Sequence, residues 1–344
     1  MKTYRLTLIG FGNVGQGLAQ VLRDHGSDLA QRFGANFEIV AVSDKFLGSI
    51  YDPAGLDPAA LLDAVAADGH LQTLNAPQKG WDALQTIKHS DADVVVEMSY
   101  TDLETGEPAA GHVRAALEAG KHVAMTNKGP MALHYPELAA LAEQKNLKIE
   151  AEGTVMSGTP AIYLGRDQLV GAGIKRIQGI LNGTTNYILT QMEAGASYAE
   201  ALQDAQARGY AEADPTGDVE GIDAAGKVVI LANLLLGQSL TMADVQRTGI
   251  TAITSADIAA AKAAGERWKL IGTIEPKDGQ IRASVKPVRL PLAHPLAAVS
   301  GATNAITYAT DLLGDVTLVG PGAGRIETGY AVISDLLAIH RAVT

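Results

Sequence analysis

The chain has no cysteine among its 344 residues. That absence excludes disulfides, thiolate nucleophiles and thiolate-bound zinc, and it fits a reducing compartment, the cytoplasm. Clustered positive charge is also missing: 27 Lys and Arg stand against 38 Asp and Glu, a formal net charge of -11. Nucleic-acid binding draws on clustered cations to displace counterions, so no nucleic-acid partner is expected. Long apolar runs are absent as well. The longest, Val228 to Leu236, includes Asn233 and is far short of the roughly 20 residues a membrane-spanning helix needs. Met1 to Gly10 carries only Lys2 and Arg5 before a short apolar stretch, too brief for a signal-peptide core and without a small-residue cleavage site. No internal repeat, low-complexity segment or long linker interrupts the sequence.

What is present is ordinary globular material, 47% hydrophobic and 19% charged, at a length that predicts two lobes rather than one core. Strand patterns at Tyr4–Ile9, Phe37–Val42, Asp93–Met98 and His122–Met125 alternate with helical patterns, among them Pro108–Ala119 and Tyr135–Lys145. Alternation of this kind predicts parallel βαβ units, an α/β fold with a Rossmann-type doubly wound parallel sheet. Past about residue 155 the pattern changes to Ala-rich helices at Tyr198–Arg208, Gly221–Leu236 and Ser255–Lys262, with strands at Ile174–Leu181, Gln280–Val288 and Val316–Val319. An α+β domain for catalysis and dimerisation is expected over 156–315. The dinucleotide domain is expected over 1–155, with a C-terminal segment 316–344, including a helix at Thr328–Ala342, packing back on it.

Gly10, Gly12 and Gly15 form a G-x-G-x-x-G pattern, with Asn13 and Val14 inside it, at the junction of the first strand and a helix whose apolar face is Val14, Leu18, Val21 and Leu22. Such a junction needs a tight turn, close backbone approach to a pyrophosphate, and close packing of helix on strand, while the helix start offers free N–H groups to phosphate. Asp44 closes the second strand and is placed to accept from a ribose 2′-hydroxyl and repel a 2′-phosphate, which favours NAD; Lys45 follows directly and leaves NADP open. The interval from Gly15 to Asp44 exceeds the usual spacing of about twenty residues, and an extended helix with a loop through Ser27 to Asn36 is expected to fill it.

The stretch from Asp214 to Leu236 carries a second constellation. From Val228 onward the helix is apolar all round, the mark of burial on every side. Asp223 and Lys227 lie four residues apart in its first turns, on one face. Charges at the mouth of a buried helix are costly unless paired, so the pair is read either as a structural ion pair or as an acid/base lysine held by a carboxylate. Lys128, in Thr-Asn-Lys-Gly after the fourth strand, stands at a strand's carboxyl end, where open α/β folds bind ligands. Glu212, Asp214 and Asp218 precede the Asp223 helix; they are turn or cap residues, or partners for the ammonium of an amino-acid substrate.

At Leu181-Asn-Gly-Thr-Thr-Asn-Tyr-Ile-Leu, Gly209-Tyr-Ala-Glu-Ala-Asp-Pro-Thr and Asp218 to Lys227 the sequence resembles homoserine dehydrogenase, with weaker likeness at Thr126-Asn-Lys-Gly, Glu152 to Pro160 and Gly320-Pro-Gly-Ala-Gly. The resemblance covers nearly the whole chain. It implies hydride exchange between a nicotinamide and the aldehyde carbon of aspartate semialdehyde, within amino-acid biosynthesis toward threonine and methionine. It further implies that Lys227 and Lys128 serve proton transfer and that Asp223 orients lysine and substrate. Glu212 and Asp218 would hold the substrate ammonium. Ser99 and Lys128 would line the nicotinamide end, and Gly324 would reach the cofactor. Glu152, Val155, Ser157 and Thr159 match a loop that binds a monovalent cation such as sodium, and a homodimer is expected.

Two departures stand out. Gly226 replaces a bulkier residue beside Lys227, where glycine weakens a helix. The sequence ends at Thr344 without the regulatory ACT domain of longer members, so threonine feedback through one is not expected. Two other readings are a dehydrogenase for another amino-acid or hydroxy-acid substrate, because fold does not settle function, and a nicotinamide-binding module without catalysis.

Overall fold

The computed structural model describes residues 1–277 and 279–344. These divide into two compact units, Met1–Gly158 with Gly324–Thr344, and Thr159–Ala323.

In the first unit the strands are β1 (Lys2–Ile9), β2 (Ala35–Asp44), β3 (Gly48–Tyr51), β4 (Gln78–Lys79), β5 (Val94–Glu97), β6 (His122–Met125) and β7 (Ile149–Glu150), in the sheet order β4-β3-β2-β1-β5-β6-β7. β2, β1, β5, β6 and β7 run parallel, while β3 and β4 add an antiparallel edge. The carboxyl ends of β1, β2, β5 and β6 therefore share one rim of the sheet, the rim where such sheets take ligands. Val94, Val95 and Val96 are fully buried, as expected of a parallel strand covered on both faces. Leu6, Leu8, Ile39 and Val42 join Leu18, Leu22, Val332, Ile333 and Leu336 in one core, each such side chain contributing about 1.5–3 kcal/mol by leaving water.

The first helix, Asn13–Phe33, runs further than the sequence suggested. Ser27–Phe33 is helical, Ala35 and Asn36 open β2, and Gly34 alone separates them in a left-handed conformation with its N–H on the Ala30 carbonyl. A glycine at that position ends the helix at little steric cost, and Leu29 packs on the core. The long interval between Gly15 and Asp44 is thus extra helical turns, not loop.

The last helix, Arg325–Val343, lies against the first. A Cβ on Gly17 would fall 1.9 Å from the Arg325 carbonyl oxygen, and one on Gly329 would fall 2.5 Å from the Gly17 carbonyl carbon. The two helices meet glycine to glycine, closer than any side chain allows.

In the second unit, β8 (Ile174–Ile180), β9 (Val245–Arg247), β10 (Glu266–Lys277), β11 (Gln280–Pro291), β12 (Thr303–Thr310) and β13 (Gly314–Pro321) form a sheet in the order β13-β12-β8-β10-β11-β9. β13 pairs with β12 along its whole length. Residues 316–323 accordingly belong to this unit and not to the C-terminal segment that joins the first, which begins at Gly324. The helix Ile222–Leu236 lies against β10 and β11. At Gly272 of β10 a Cβ would meet Val228 at 2.8 Å and Leu181 at 3.0 Å, so the bare backbone there lets the helix settle close, one residue from Lys227. Gly226 does not interrupt that helix, whose residues Ala224–Asn233 are all buried. Among the described residues no helix is long and apolar enough to cross a membrane.

Candidate active site

The glycine turn of the first unit has the form a dinucleotide requires. Gly10 has φ +92°, and a Cβ there would lie 2.6 Å from the Met98 carbonyl oxygen and 2.9 Å from the Ser99 nitrogen. A Cβ on Gly15 would lie 2.7 Å from the Gly10 carbonyl oxygen. Around Gly12, in contrast, nothing comes within 4 Å of a Cβ. Gly12 caps the Asn13–Phe33 helix without a side-chain hydrogen bond, which leaves first-turn N–H groups of Asn13, Val14 and Gly15 for a phosphate. Gly324, at φ +139°, caps the Arg325–Val343 helix, also without a side-chain hydrogen bond. Since Gly17 touches Arg325, the two helix starts are neighbours, and both present partial positive charge.

Asp44 does more than the ribose reading supposes. One carboxylate oxygen accepts from the Phe11 N–H at 2.7 Å, and the other from the Phe46 and Leu47 N–H groups at 2.8 and 2.9 Å. The side chain ties the glycine turn to the end of β2, and its remaining lone pairs stay available to a hydroxyl.

At the ends of β5 and β6 the sequence reading missed a connecting residue. Asn127 caps the helix Lys128–Leu133 by accepting from Gly129, while its amide donates to the carbonyls of Ser99 at 3.1 Å and Tyr100 at 2.9 Å. Lys128, half-buried at the first helical position, is thereby fixed relative to Ser99. The Ser99 hydroxyl donates to Glu97.

In the second unit, Lys227 is 7% exposed and donates to Asp223 Oδ2 and to the Leu181 carbonyl, both at 2.7 Å. Asn182 bridges the carboxylates, donating to Asp218 Oδ1 at 2.7 Å and Asp223 Oδ2 at 3.0 Å, and caps the helix Gly183–Glu193 through the Thr185 N–H. Lys227, Asp223 and Asp218 are one network. Burial pushes the Asp218 carboxyl above the usual carboxylate range; the Asn182 hydrogen bond opposes this, Asp223 reinforces it and Lys227 opposes it. Glu212 takes no part in these bonds. It is exposed, on a loop held by Gln206, which donates to the Glu212 carbonyl at 3.0 Å, and by Thr184, which donates to the Tyr210 carbonyl at 2.6 Å. Asp214 receives the Thr216 N–H at 3.0 Å in a turn-forming role, and hydrogen bonding from the Thr216 side chain, then from its N–H, holds the Asp214 carboxyl below the ordinary range.

Of the residues matched to a cation loop, Glu152, Val155 and Ser157 are buried in the first unit, with Ser157 at φ +54°, and Thr159 begins the second. The Glu152 carbonyl accepts from Val155, and the Thr159 carbonyl from Ala161. Among the described residues no group of three or more His, Asp or Glu could hold a metal ion.

Two family models match, Homoserine dehydrogenase, NAD binding domain over residues 10–152 and Homoserine dehydrogenase over residues 160–337. An NAD(+)-dependent homoserine dehydrogenase of Pseudomonas canavaninivorans is 49% identical, the match covering 100% of this chain and 98% of that one. The crystal structure of a putative homoserine dehydrogenase from Archaeoglobus fulgidus superposes with TM-score 0.89 at 35% identity, over 98% of this chain and 99% of that one. A hyperthermophilic archaeal homoserine dehydrogenase in complex with NADPH gives TM-score 0.85 at 29% identity, over 99% and 98%. With a glycine turn shaped for a dinucleotide in one unit, a buried lysine–carboxylate network in the other and these matches across both, the chain belongs to the homoserine dehydrogenase family.

Proposed function

We propose that this protein interconverts L-aspartate 4-semialdehyde and L-homoserine in the cytoplasm, using NAD in preference to NADP, and that it acts as a homodimer. The observation that carries the chemistry is the Lys227–Asp223 pair. A buried ammonium with one N–H on Asp223 and one on the Leu181 carbonyl has a third N–H to offer an oxygen of the substrate. A bound nicotinamide supplies or takes the hydride. Lys227 gives its proton to the forming hydroxyl oxygen in reduction and recovers it in oxidation. Asp223 holds the amine in place, Asp218 with Glu212 receives the substrate ammonium, and Lys128 with Ser99 lines the nicotinamide end.

Asp44 favours NAD, because a ribose 2′-phosphate would set a second negative charge beside its carboxylate. Oxygens of Glu152, Val155, Ser157 and Thr159 would hold a monovalent cation, with a structural role. Dimerisation is the commonest form of soluble assembly, and exposed Leu312, Leu313 and Val319 on the β12–β13 hairpin supply apolar surface for it.

Initial rates of reduced-cofactor formation from L-homoserine, with NAD and NADP in turn, test this reading. Turnover with homoserine and a higher kcat/KM for NAD is expected. No turnover with either cofactor, or a clear preference for another alcohol, overturns it. A second expectation concerns Asp218, half-buried, whose carboxyl is pushed above the ordinary range chiefly by desolvation. Its raised pKa means that its contribution to stability is present at acid pH and lost as pH rises through the folded value. Asp218→Asn should therefore raise the melting temperature at neutral pH while raising the KM for homoserine several-fold, as measured by thermal denaturation and steady-state rates on the same preparation.

A further inference from the structure

Glu97 ends β5 with its side chain fully buried, and two groups meet at its Oε1: the Ser99 hydroxyl, which donates to it, and His112 Nδ1, 3.1 Å away. His112 is itself only 7% exposed. The other oxygen, Oε2, is buried without a hydrogen-bond partner among the described residues. A carboxylate carried into the core and only half satisfied costs stability, and nothing in the packing of the parallel sheet calls for one. The residue it reaches follows β5 beside the glycine turn, since the Ser99 backbone nitrogen is among the atoms nearest a Cβ on Gly10.

A hydroxyl has one proton and two lone pairs. With the Ser99 proton committed to Glu97, the hydroxyl faces any ligand solely as an acceptor. We infer that the His112–Glu97 pair polarises Ser99 as a fixed acceptor, and that this acceptor selects the carboxamide N–H of the nicotinamide over ring substituents that lack a donor. Ser99 is the binding group in this arrangement; Glu97 and His112 are positioning residues acting through it. The inference rests on the reading of the glycine turn as the dinucleotide site and goes beyond it by naming the substituent recognised and the device that recognises it.

The test is equilibrium binding, without turnover. Dissociation constants are measured for NADH, for the reduced 3-acetylpyridine analogue, which has a ring carbonyl but no amide N–H, and for ADP-ribose, which has no ring. The native protein should bind NADH about tenfold more tightly than the acetyl analogue, the worth of one hydrogen bond to a polarised acceptor. Ser99→Ala should bring the two constants together by weakening NADH alone, with ADP-ribose unchanged. Glu97→Gln removes the charge that fixes the hydroxyl, and should reduce the discrimination through Ser99 with the serine still present. Equal binding of NADH and acetyl analogue by the native protein, or an unchanged ratio in Ser99→Ala with ADP-ribose still bound, overturns this inference and spares the dinucleotide reading. Failure of the native protein to bind ADP-ribose overturns both. An unchanged ratio in folded Glu97→Gln overturns the role of the His112–Glu97 pair; should that variant fail to fold, the same ratio is read in His112→Gln, and Ser99→Ala, a smaller change at a partly exposed position, decides whether Ser99 is the acceptor.

Discussion

Lys227→Ala should lower kcat for homoserine oxidation by at least about a hundredfold, the usual worth of a positioned acid/base group, with NADH binding unchanged. The cofactor turn and this lysine belong to different units, so removing the amine leaves the glycine turn as it was. A skeptic can answer that Lys227 is merely one half of a structural ion pair with Asp223, since ion-pair networks are common and their loss is harmful for reasons unrelated to chemistry. Lys227→Arg separates the two. A guanidinium keeps the charge and can still pair with Asp223, but it does not release a proton at working pH. If the lysine is the proton donor and acceptor, the arginine variant stays folded and remains nearly as inactive as the alanine variant. Recovery of most of the turnover in Lys227→Arg would reduce the residue to a structural part.

A second large effect should appear in stability, away from the proposed chemistry. Lys269 in β10 is 1% exposed, and its ammonium donates to Asn186 Oδ1 at 2.9 Å and to the Val299 carbonyl at 2.6 Å. Burial lowers its pKa to about 8, with Glu193 opposing and Arg267 reinforcing the shift. The unfolded chain holds this proton up to the ordinary lysine value near 10.4. Between those two pH values the unfolded state binds more protons than the folded one, so stability rises with pH. Below about pH 8 both states are protonated and the folded protein bears the full cost. The neutral amine still has two N–H groups for its two acceptors, so losing the charge does not break the bonds. Subtracting the unfolding free energy of Lys269→Met from that of the native protein isolates this group. The difference should move in favour of the native protein by roughly 3 kcal/mol from pH 8 to 10.5. A flat difference in chemical denaturation across that range would mean that the core lysine does not titrate there.

The elements that could be read from sequence are those with a single dominant local pattern. β6 has the bounds expected, and β1, β5 and the helix Ile222–Leu236 fall within two residues of them. β10 went unread because Glu266–Lys277 mixes charged and apolar residues, and its burial comes from neighbours on both sides, β8 and β11, not from its own periodicity. The helix Gly183–Glu193 opens with Gly-Thr-Thr-Asn, poor helix formers by propensity, and depends on the Asn182 cap and on burial. In the site, Asp223 and Lys227 were legible because spacing along one helix fixes their proximity. Asn182 was not, because it meets Asp223 from 41 residues away. Glu97 and His112, 15 residues apart, were hidden for the same reason: sequence distance carries no signal of a contact that sheet topology creates.

The glycine contact between the first and last helices bears on how the protein is made. The dinucleotide unit is assembled from both ends of the sequence, Met1–Gly158 and Gly324–Thr344, and Val332, Ile333, Leu336, Leu337 and Ile339 of the late segment are part of its core. During synthesis, β1 to β7 emerge well before the helix that completes their packing. Until the ribosome has delivered Gly324 onward, the nascent amino-terminal lobe has a bare apolar face, which is a natural target for chaperones, and the second unit can reach its final form before the first.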